Sequence, residues 1–313
     1  MLRPMPGIAI DVRGLRKRYG AVEAVRGIDF EVREGEVFAM LGPNGAGKTT
    51  TVEILEGHRD RDAGDVSVLG RDPARGGGEL KRRIGIVLQS TGISPYLTVA
   101  ETIEMFRGYY PHPRPLDEVI RVVGLSEKRN ERVRRLSGGQ QRRLDVGIGL
   151  AGDPDLLFLD EPTTGFDPAA RRGAWEMVKN LAALGKTILL TTHYMDEAQA
   201  LADRVAIISG GRIIAEGPPS GLTASAGQIA IVRFRLPPRT PALPPKLRRL
   251  ATTSAAGVEL RADDPVPILN ELTGWALAKR VTLQGLEVHR PSLEDVYLEL
   301  TRSAEPEGLR GDE

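Results

Sequence analysis

Five apolar residues, Val37-Phe38-Ala39-Met40-Leu41, run directly into Gly42-Pro43-Asn44-Gly45-Ala46-Gly47-Lys48-Thr49. A continuous apolar run followed by a glycine-rich turn marks a buried parallel strand. A helix is expected next, from about Gly47 to Glu56. The turn itself fits the phosphate-loop pattern. Its glycines let the chain turn tightly, so that successive N–H groups face inward as an anion nest. The following helix adds the positive end of its dipole. Lys48 then brings a full charge to β- and γ-phosphates, and Thr49 a hydroxyl for Mg²⁺. Thr50 completes the candidate binding set at this helix start.

A second apolar run, Leu156-Leu157-Phe158-Leu159, ends in Asp160-Glu161. A doubly wound sheet places its ligand at the carboxyl ends of its strands. Asp160 is then placed to hold Mg²⁺, directly or through water. Glu161 is placed to polarise an attacking water as general base. Alone, the acidic pair is an ordinary strand-to-turn junction; beside a phosphate loop it carries chemistry.

The remaining pattern supports one large α/β domain. Ile8, Ile10 and Val12 alternate as in a half-buried strand. Val22–Val25 and Ile28–Val32 read as two further short strands. Residues 90–150 carry a helical pattern that interrupts the strand–helix alternation. Ala169–Leu184 and Met195–Ala202 read as helices, and Thr187–Leu190 as a third core strand. Val205–Ile208 and Arg212–Ala215 flank Ser209-Gly210-Gly211 as a hairpin. Strands alternating with helices argue for a mostly parallel sheet covered on both faces.

Composition changes after Gly217, where Pro218-Pro219, Pro237-Pro238, Pro241, Pro244 and Pro245 punctuate the chain. Residues 1–219 are therefore expected to form the first domain and 220–302 a small α+β domain, with 303–313 a disordered tail. In the second domain, strands are expected near Ile229–Phe234, Val258–Arg261 and Thr282–Val288, and helices near Val266–Ala276 and Leu293–Thr301. Ser292 with Asp295 forms a capping-box pattern before the last helix. Leu293, Val296, Tyr297 and Leu300 fall on one face of it.

Charge and cysteine usage exclude several classes. The 43 Lys and Arg against 42 Asp and Glu leave a net charge of +1, unlike a dedicated nucleic-acid binder. Arg16-Lys17-Arg18, Lys81-Arg82-Arg83 and Arg132 to Arg135 read as solvated surface, with anionic lipid the sharper alternative. The chain has no cysteine, so disulfides and thiolate metal sites are excluded. No apolar stretch is long enough to span a bilayer, and Met1 to Gly7 has no signal core. A soluble protein is expected, with any membrane role supplied by a partner chain.

Three further segments complete a set. Leu136-Ser137-Gly138-Gly139-Gln140 lies upstream of the acidic strand, Gln89 follows the strand Ile84–Leu88, and His193 follows Thr187–Leu190. In this order the motifs resemble the ATP-binding cassette family over about residues 8–217. The residues of the pentapeptide agree with that likeness: Ser137 is a helix N-cap, and Gly138 and Gly139 leave backbone amides open. The resemblance implies a P-loop NTPase fold with antiparallel N-terminal strands, a helical subdomain at about 90–150 and a small C-terminal domain that regulates or stabilises a dimer. It implies an ATPase using ATP and Mg²⁺. Ser137 and Gly139, with Gly138 and Gln140, would meet the γ-phosphate of ATP held by a second nucleotide-binding subunit, most simply in a homodimer. Gln89 would reach Mg²⁺ and the attacking water. His193 would contact the γ-phosphate, Tyr19 would stack on adenine, and Asp167 lies in the loop that crosses the dimer interface. A separate transmembrane permease would place the chain peripherally on the cytoplasmic side of the plasma membrane.

A narrower likeness appears in Leu136 to Pro168 and in Pro291-Ser292-Leu293-Glu294-Asp295-Val296-Tyr297-Leu298-Glu299-Leu300, which resemble ATPase subunits of daunorubicin/doxorubicin-resistance exporters. Export of drugs or other hydrophobic compounds follows from that likeness. A non-transport cassette ATPase and an importer subunit are the alternatives. Three departures stand out: Leu88 where proline is frequent, Phe166 where leucine is usual, and Gly147 and Gly149 where alanine is common. Each of the two glycines is expected to cost about 0.5–1 kcal/mol of helix stability.

Overall fold

The computed structural model describes residues 7–87, 92–225, 230–238, 240–254, 257–289 and 292–304. The chain divides into two compact units, Met1–Pro219 and Ser220–Glu313. In the first, the order is β1 (Ile8–Tyr19), β2 (Val22–Arg33), β3 (Val37–Leu41), α1 (Lys48–Leu55), β4 (Ala63–Val68), α2 (Gly77–Arg83) and β5 (Ile84–Val87). Then come α3 (Val99–Arg107), α4 (Leu116–Val122), α5 (Gly138–Leu150), β6 (Leu156–Asp160), α6 (Pro168–Ala183), β7 (Thr187–Thr192), α7 (Met195–Leu201), β8 (Arg204–Ser209) and β9 (Arg212–Gly217).

Every residue of β3 and β7 is buried, as are the first four of β6. Only a sheet covered on both faces accommodates such strands. They lie in a six-stranded sheet of order β5-β6-β7-β3-β8-β9. All neighbours pair in parallel except β9, which returns antiparallel on β8. In register, Leu41 pairs with Thr192 and Asp160 with Thr191. The carboxyl ends of β3, β6 and β7 therefore finish side by side, and the segments at 42, 161 and 193 leave the sheet together. A second, antiparallel sheet of order β2-β1-β4 completes the unit. Its Ile10, Leu15 and Phe30 share one core with Phe38 and Met40 of β3. The Phe30 and Phe38 rings stack 5.6 Å apart.

Two expectations change here. Val22–Val25 and Ile28–Val32 are one strand, because register shifts against β1 absorb the interruption between them. Strand β4 was not expected, since Ala63-Gly64-Asp65 lacks the β-branched residues that announce a strand.

The glycines of α5 also behave differently from each other. A Cβ on Gly147 would meet Ile103 Cδ1 at 3.4 Å, an ordinary contact. On Gly149 it would lie 2.9 Å from Val87 Cγ2, and a Cβ on Gly85 of β5 would lie 2.3 Å from the Gly149 carbonyl. Helix α5 thus crosses β5 at a glycine pair that sets how closely the two can pack. The helix-propensity cost assigned to Gly149 is offset by this approach. Gly147→Ala is expected to stabilise by about 0.5–1 kcal/mol. Gly149→Ala is expected to destabilise by roughly 1–3 kcal/mol, as overpacked cores do. Thermal melting of the two variants checks both signs.

In the second unit, α8 (Pro219–Ser225) leads into β10 (Ala230–Arg235), α9 (Pro245–Leu250), β11 (Ala251–Ser254), β12 (Gly257–Ala262), α10 (Pro265–Lys279), β13 (Gln284–His289) and α11 (Leu293–Ala304). The strands form an antiparallel sheet of order β11-β12-β10-β13. Val232, Phe234, Val258 and Leu260 of the sheet pack with Leu247, Ile268 and Leu272 of the helices. Ser292 and Asp295 make the reciprocal capping bonds at the start of α11: Ser292 N donates to Asp295 at 2.8 Å and Asp295 N to Ser292 Oγ at 3.3 Å. Helix α11 continues through Ala304, so the expected tail does not begin at Ser303. Its remainder, 305–313, lies outside the described residues.

Candidate functional site

At the carboxyl ends of β3 and β6 lies a cleft of about 450 Å³, lined by Tyr19, Ala24, Asn44, Gly45, Gly47, Lys48, Thr49, Thr50, Asp160 and Glu161. The loop between β3 and α1 is shaped by two glycines. A Cβ on Gly42 would lie 2.3 Å from the Ile208 carbonyl, and Gly47 has φ 103 with the Ala24 carbonyl 2.5 Å from its missing Cβ. No side chain caps α1, so its first N–H groups have no intrahelical acceptor and open toward the cleft. Ala46 is buried beneath the loop, while Pro43, Asn44 and Gly45 are exposed.

Lys48 is buried, and its Nζ donates to the Gly42 and Pro43 carbonyls at 2.8 and 3.1 Å. Burial lowers its pKa, and the nearby Glu161 and Asp160 carboxylates partly counter that. Its Nζ lies 3.7 Å from Glu161 Oε1. Asp160 Oδ1 accepts from Thr191 Oγ1 at 2.5 Å.

Glu161 occupies the left-handed region, with φ 45. That conformation is unusual for a residue with a side chain and costs of order 1–3 kcal/mol. Two acceptors on Thr191 hold it: Glu161 N donates to Thr191 O at 3.2 Å and to Thr191 Oγ1 at 3.0 Å. Burial raises the pKa of the Glu161 carboxyl, but the Thr164 hydroxyl, His193 and Lys48 together hold it below the ordinary carboxylate value. Thr164 Oγ1 donates to it at 2.8 Å. His193 Nδ1 stands 3.4 Å from Glu161 Oε2, an ion-pair distance, and makes no hydrogen bond among the described residues.

Tyr19 ends β1 at 38% exposure, with Lys17 and Arg59 cations 5.7 and 5.2 Å from its ring. Its position on the cleft wall leaves an aromatic face available. Ser137, Gly138, Gly139 and Gln140 do not line this cleft. They begin α5, and Gly138 borders a second cleft that Phe166 lines together with Glu161, the residue common to both clefts. Ser137 is the N-cap, and Gln140 closes a reciprocal box with it: Gln140 N donates to Ser137 Oγ at 3.3 Å and Ser137 N to Gln140 Oε1 at 3.0 Å. Asp167 caps α6, accepting from Ala169 N at 2.8 Å and Ala170 N at 2.9 Å. Gln89 and Leu88 lie outside the described residues.

Sequence reasoning passed over several groups around the site. Arg142 of α5 donates to the Asp160 carbonyl at 2.7 Å. Glu56, at the end of α1, is buried near Asp160. Glu197 of α7 is wholly buried, and burial raises its pKa despite Thr192, Thr163 and Trp175 nearby. Only the i,i+4 spacing from His193 to Glu197 offered a signal for any of them.

Comparison with known proteins now bears on the site. Residues 25–164 match the family described as ABC transporter, and residues 230–292 match the ABC transporter domain-containing protein-like, C-terminal domain. A Nod factor export ATP-binding protein I from Ralstonia nicotianae is 40% identical over 95% of this chain and 96% of its own length. A protein of the same name from Paraburkholderia xenovorans is 41% identical over 95% of this chain and 98% of its own. A solved ATP-binding subunit of an ABC transporter is 26% identical, with TM-score 0.62, over 70% of this chain and 93% of that one. The dimeric post-hydrolysis state of a cassette bound to ADP and Pi has TM-score 0.59 at 24% identity, over 67% of this chain and 98% of that one, a likeness of fold. These relatives carry the name of Nod factor export, not of daunorubicin/doxorubicin resistance. With near full-length identity at this level, and with the phosphate loop, acidic strand end and signature segment in one fold, the chain belongs to the ATP-binding subunits of ABC transporters.

Proposed function

We propose that this chain hydrolyses ATP as one of two paired cassettes and drives a separate transmembrane permease in export. One observation carries the reading. The cleft that gathers Lys48, Thr49, Asp160 and Glu161 has no lining residue from the 137–140 segment, and a paired copy would supply one. The names of the relatives favour export over import. Hydrophobic or amphiphilic compounds, drugs among them, are the cargo class. Among the described residues no helix is long and apolar enough to cross a membrane, which suits a peripheral place on the cytoplasmic side of the plasma membrane against a permease.

The chemistry follows from the geometry. Loop amides and Lys48 bind the β- and γ-phosphates. Tyr19 offers its ring to adenine. Thr49 and Asp160 would hold Mg²⁺, and no cluster of three His, Asp or Glu able to hold a metal alone occurs among the described residues. That donor set suits a hard cation taking its other ligands from phosphate and water. The ion would neutralise charge on the phosphates. Glu161 accepts a proton as water attacks the γ-phosphorus and the bond to the β,γ-bridging oxygen breaks. His193, beside Glu161, keeps the carboxylate aimed. Closure powers transport only if the paired state binds ATP more tightly than ADP.

Dimer closure is directly testable because the chain has no native cysteine. Asn44 is exposed, and a Cβ on Gly138 meets nothing within 4 Å. A protein carrying Asn44→Cys and Gly138→Cys is expected to form an intersubunit cross-link about tenfold more with ATP than without. Equal cross-linking in both conditions would sink the paired-cassette reading.

A further inference from the structure

Beside the cleft, one aromatic contact links the loop at Asp167 to the segment carrying His193. Arg171 lies one turn into α6, and its N–H donates to the Asp167 carbonyl at 3.0 Å. Its guanidinium carbon sits 4.1 Å from the centroid of the Tyr194 ring. Arg171 Nη1 also donates to Asp196 Oδ2 at 3.1 Å, while its Nε is buried and makes no hydrogen bond among the described residues. The guanidinium is therefore held over the ring on one side and by Asp196 on the other. Tyr194 in turn is fixed at both ends. Its N–H donates to Thr192 Oγ1 at 2.9 Å, and its carbonyl accepts from Ala198 N at 3.2 Å. Its ring lies 4.0 Å from the His193 ring, tilted by 39°.

We infer that Arg171 and Tyr194 form a clamp through which the loop at Asp167 sets where His193 stands against Glu161. The inference rests on the paired-cassette reading, in which that loop meets the second copy. Asp167 and Arg171 share the first turn of α6, so a shift of the loop moves the guanidinium with it. A guanidinium lying over an aromatic ring transmits such a shift better than an exposed ion pair, because the contact is broad and little screened. His193 has no hydrogen bond of its own to fix Nδ1 among the described residues. Its 3.4 Å approach to Glu161 depends on the packing of its ring. Arg171 and Tyr194 act as positioning residues; neither lines the cleft.

The test uses the full chain and separates turnover from binding. Tyr194→Leu and Arg171→Ala are expected to lower kcat by about tenfold or more, as misplaced catalytic groups do. Equilibrium ATP affinity should stay within about twofold, since the clamp does not touch the loop at 42–49. Tyr194→Phe, which keeps the ring, is expected to restore kcat. Arg171→Lys keeps the charge facing Asp196 but loses the broad guanidinium contact with the ring, and should fall with Arg171→Ala. A kcat for Tyr194→Leu within about twofold of the parent overturns the clamp. So does a fall in kcat matched by lost ATP affinity, or an equal rescue by Arg171→Lys, each of which assigns a general structural role. If instead the parent protein neither hydrolyses ATP nor pairs with it, the reading of the site fails first.

Discussion

Glu161→Gln is expected to lower ATP turnover by about 100-fold or more while ATP affinity stays within about twofold. The substitution removes the proton acceptor and little else. Glutamine has the same length and can still accept from the Thr164 hydroxyl, which now donates at 2.8 Å. The left-handed backbone at this position is held by Thr191, so the new side chain inherits the same aim. Lys48 loses one of the two carboxylates that counter its burial, at 3.7 Å, and keeps Asp160 and the arriving phosphates as counter-charges. Phosphate release and an equilibrium ATP titration give the two readings. Unchanged hydrolysis would remove Glu161 from the role of base. Binding lost together with turnover would instead make it part of the loop's architecture.

Glu56→Gln is expected to stabilise the protein, and to do so more at pH 8 than at pH 5. Burial raises the Glu56 carboxyl from 4.5 to about 8, and the Asp160 and Glu53 charges add to the effect. His58 Nδ1 stands 3.2 Å from it. In the unfolded chain the group ionises above about 4.5; in the folded chain it keeps its proton up to about 8. Between those values the native state binds more protons than the unfolded one. Stability therefore falls as pH rises through this window. Glutamine does not titrate and escapes the loss. The interval corresponds to an upper bound of roughly 5 kcal/mol, and relaxation around a real site brings the expectation to about 2–3 kcal/mol. Without nucleotide or Mg²⁺, the melting midpoint should rise by about 5–10 °C at pH 8 and by little at pH 5. A gain of the same size at both values would show that the carboxyl is not kept protonated by its surroundings.

The features that sequence made legible are those whose chemistry is local. The loop at 42–49 and the pair Asp160-Glu161 each sit at the end of a wholly apolar run, and such runs read as buried strands whatever surrounds them. Ser137 and Ser292 announced helix starts because a cap is a contact between residues three apart. What escaped depends on approach between distant segments. Val66 and Val68 alternate as strand residues do, but Ala63-Gly64-Asp65 does not, and only the edge of β1 draws all six into β4. Glu56 resembles a surface acid at a helix end, and only the fold buries it beside Asp160. Gly149 reads as a weak point in a helix until Val87 is seen against it. Arg171 lies on α6 and Tyr194 just ahead of α7, and neither residue alone predicts their contact.

The box at Ser137 has a consequence for how tightly anything can be gripped there. Its hydroxyl oxygen already accepts from the Gln140 backbone N–H, and Gln140 Oε1 accepts from the Ser137 N–H. An incoming oxyanion finds the N–H groups of Ser137 and Gln140 already spent, and is offered the Ser137 hydroxyl proton and the amides of Gly138 and Gly139. On the paired-cassette reading, a grip with so few donors lets go readily, which suits a part that would come undone in each cycle.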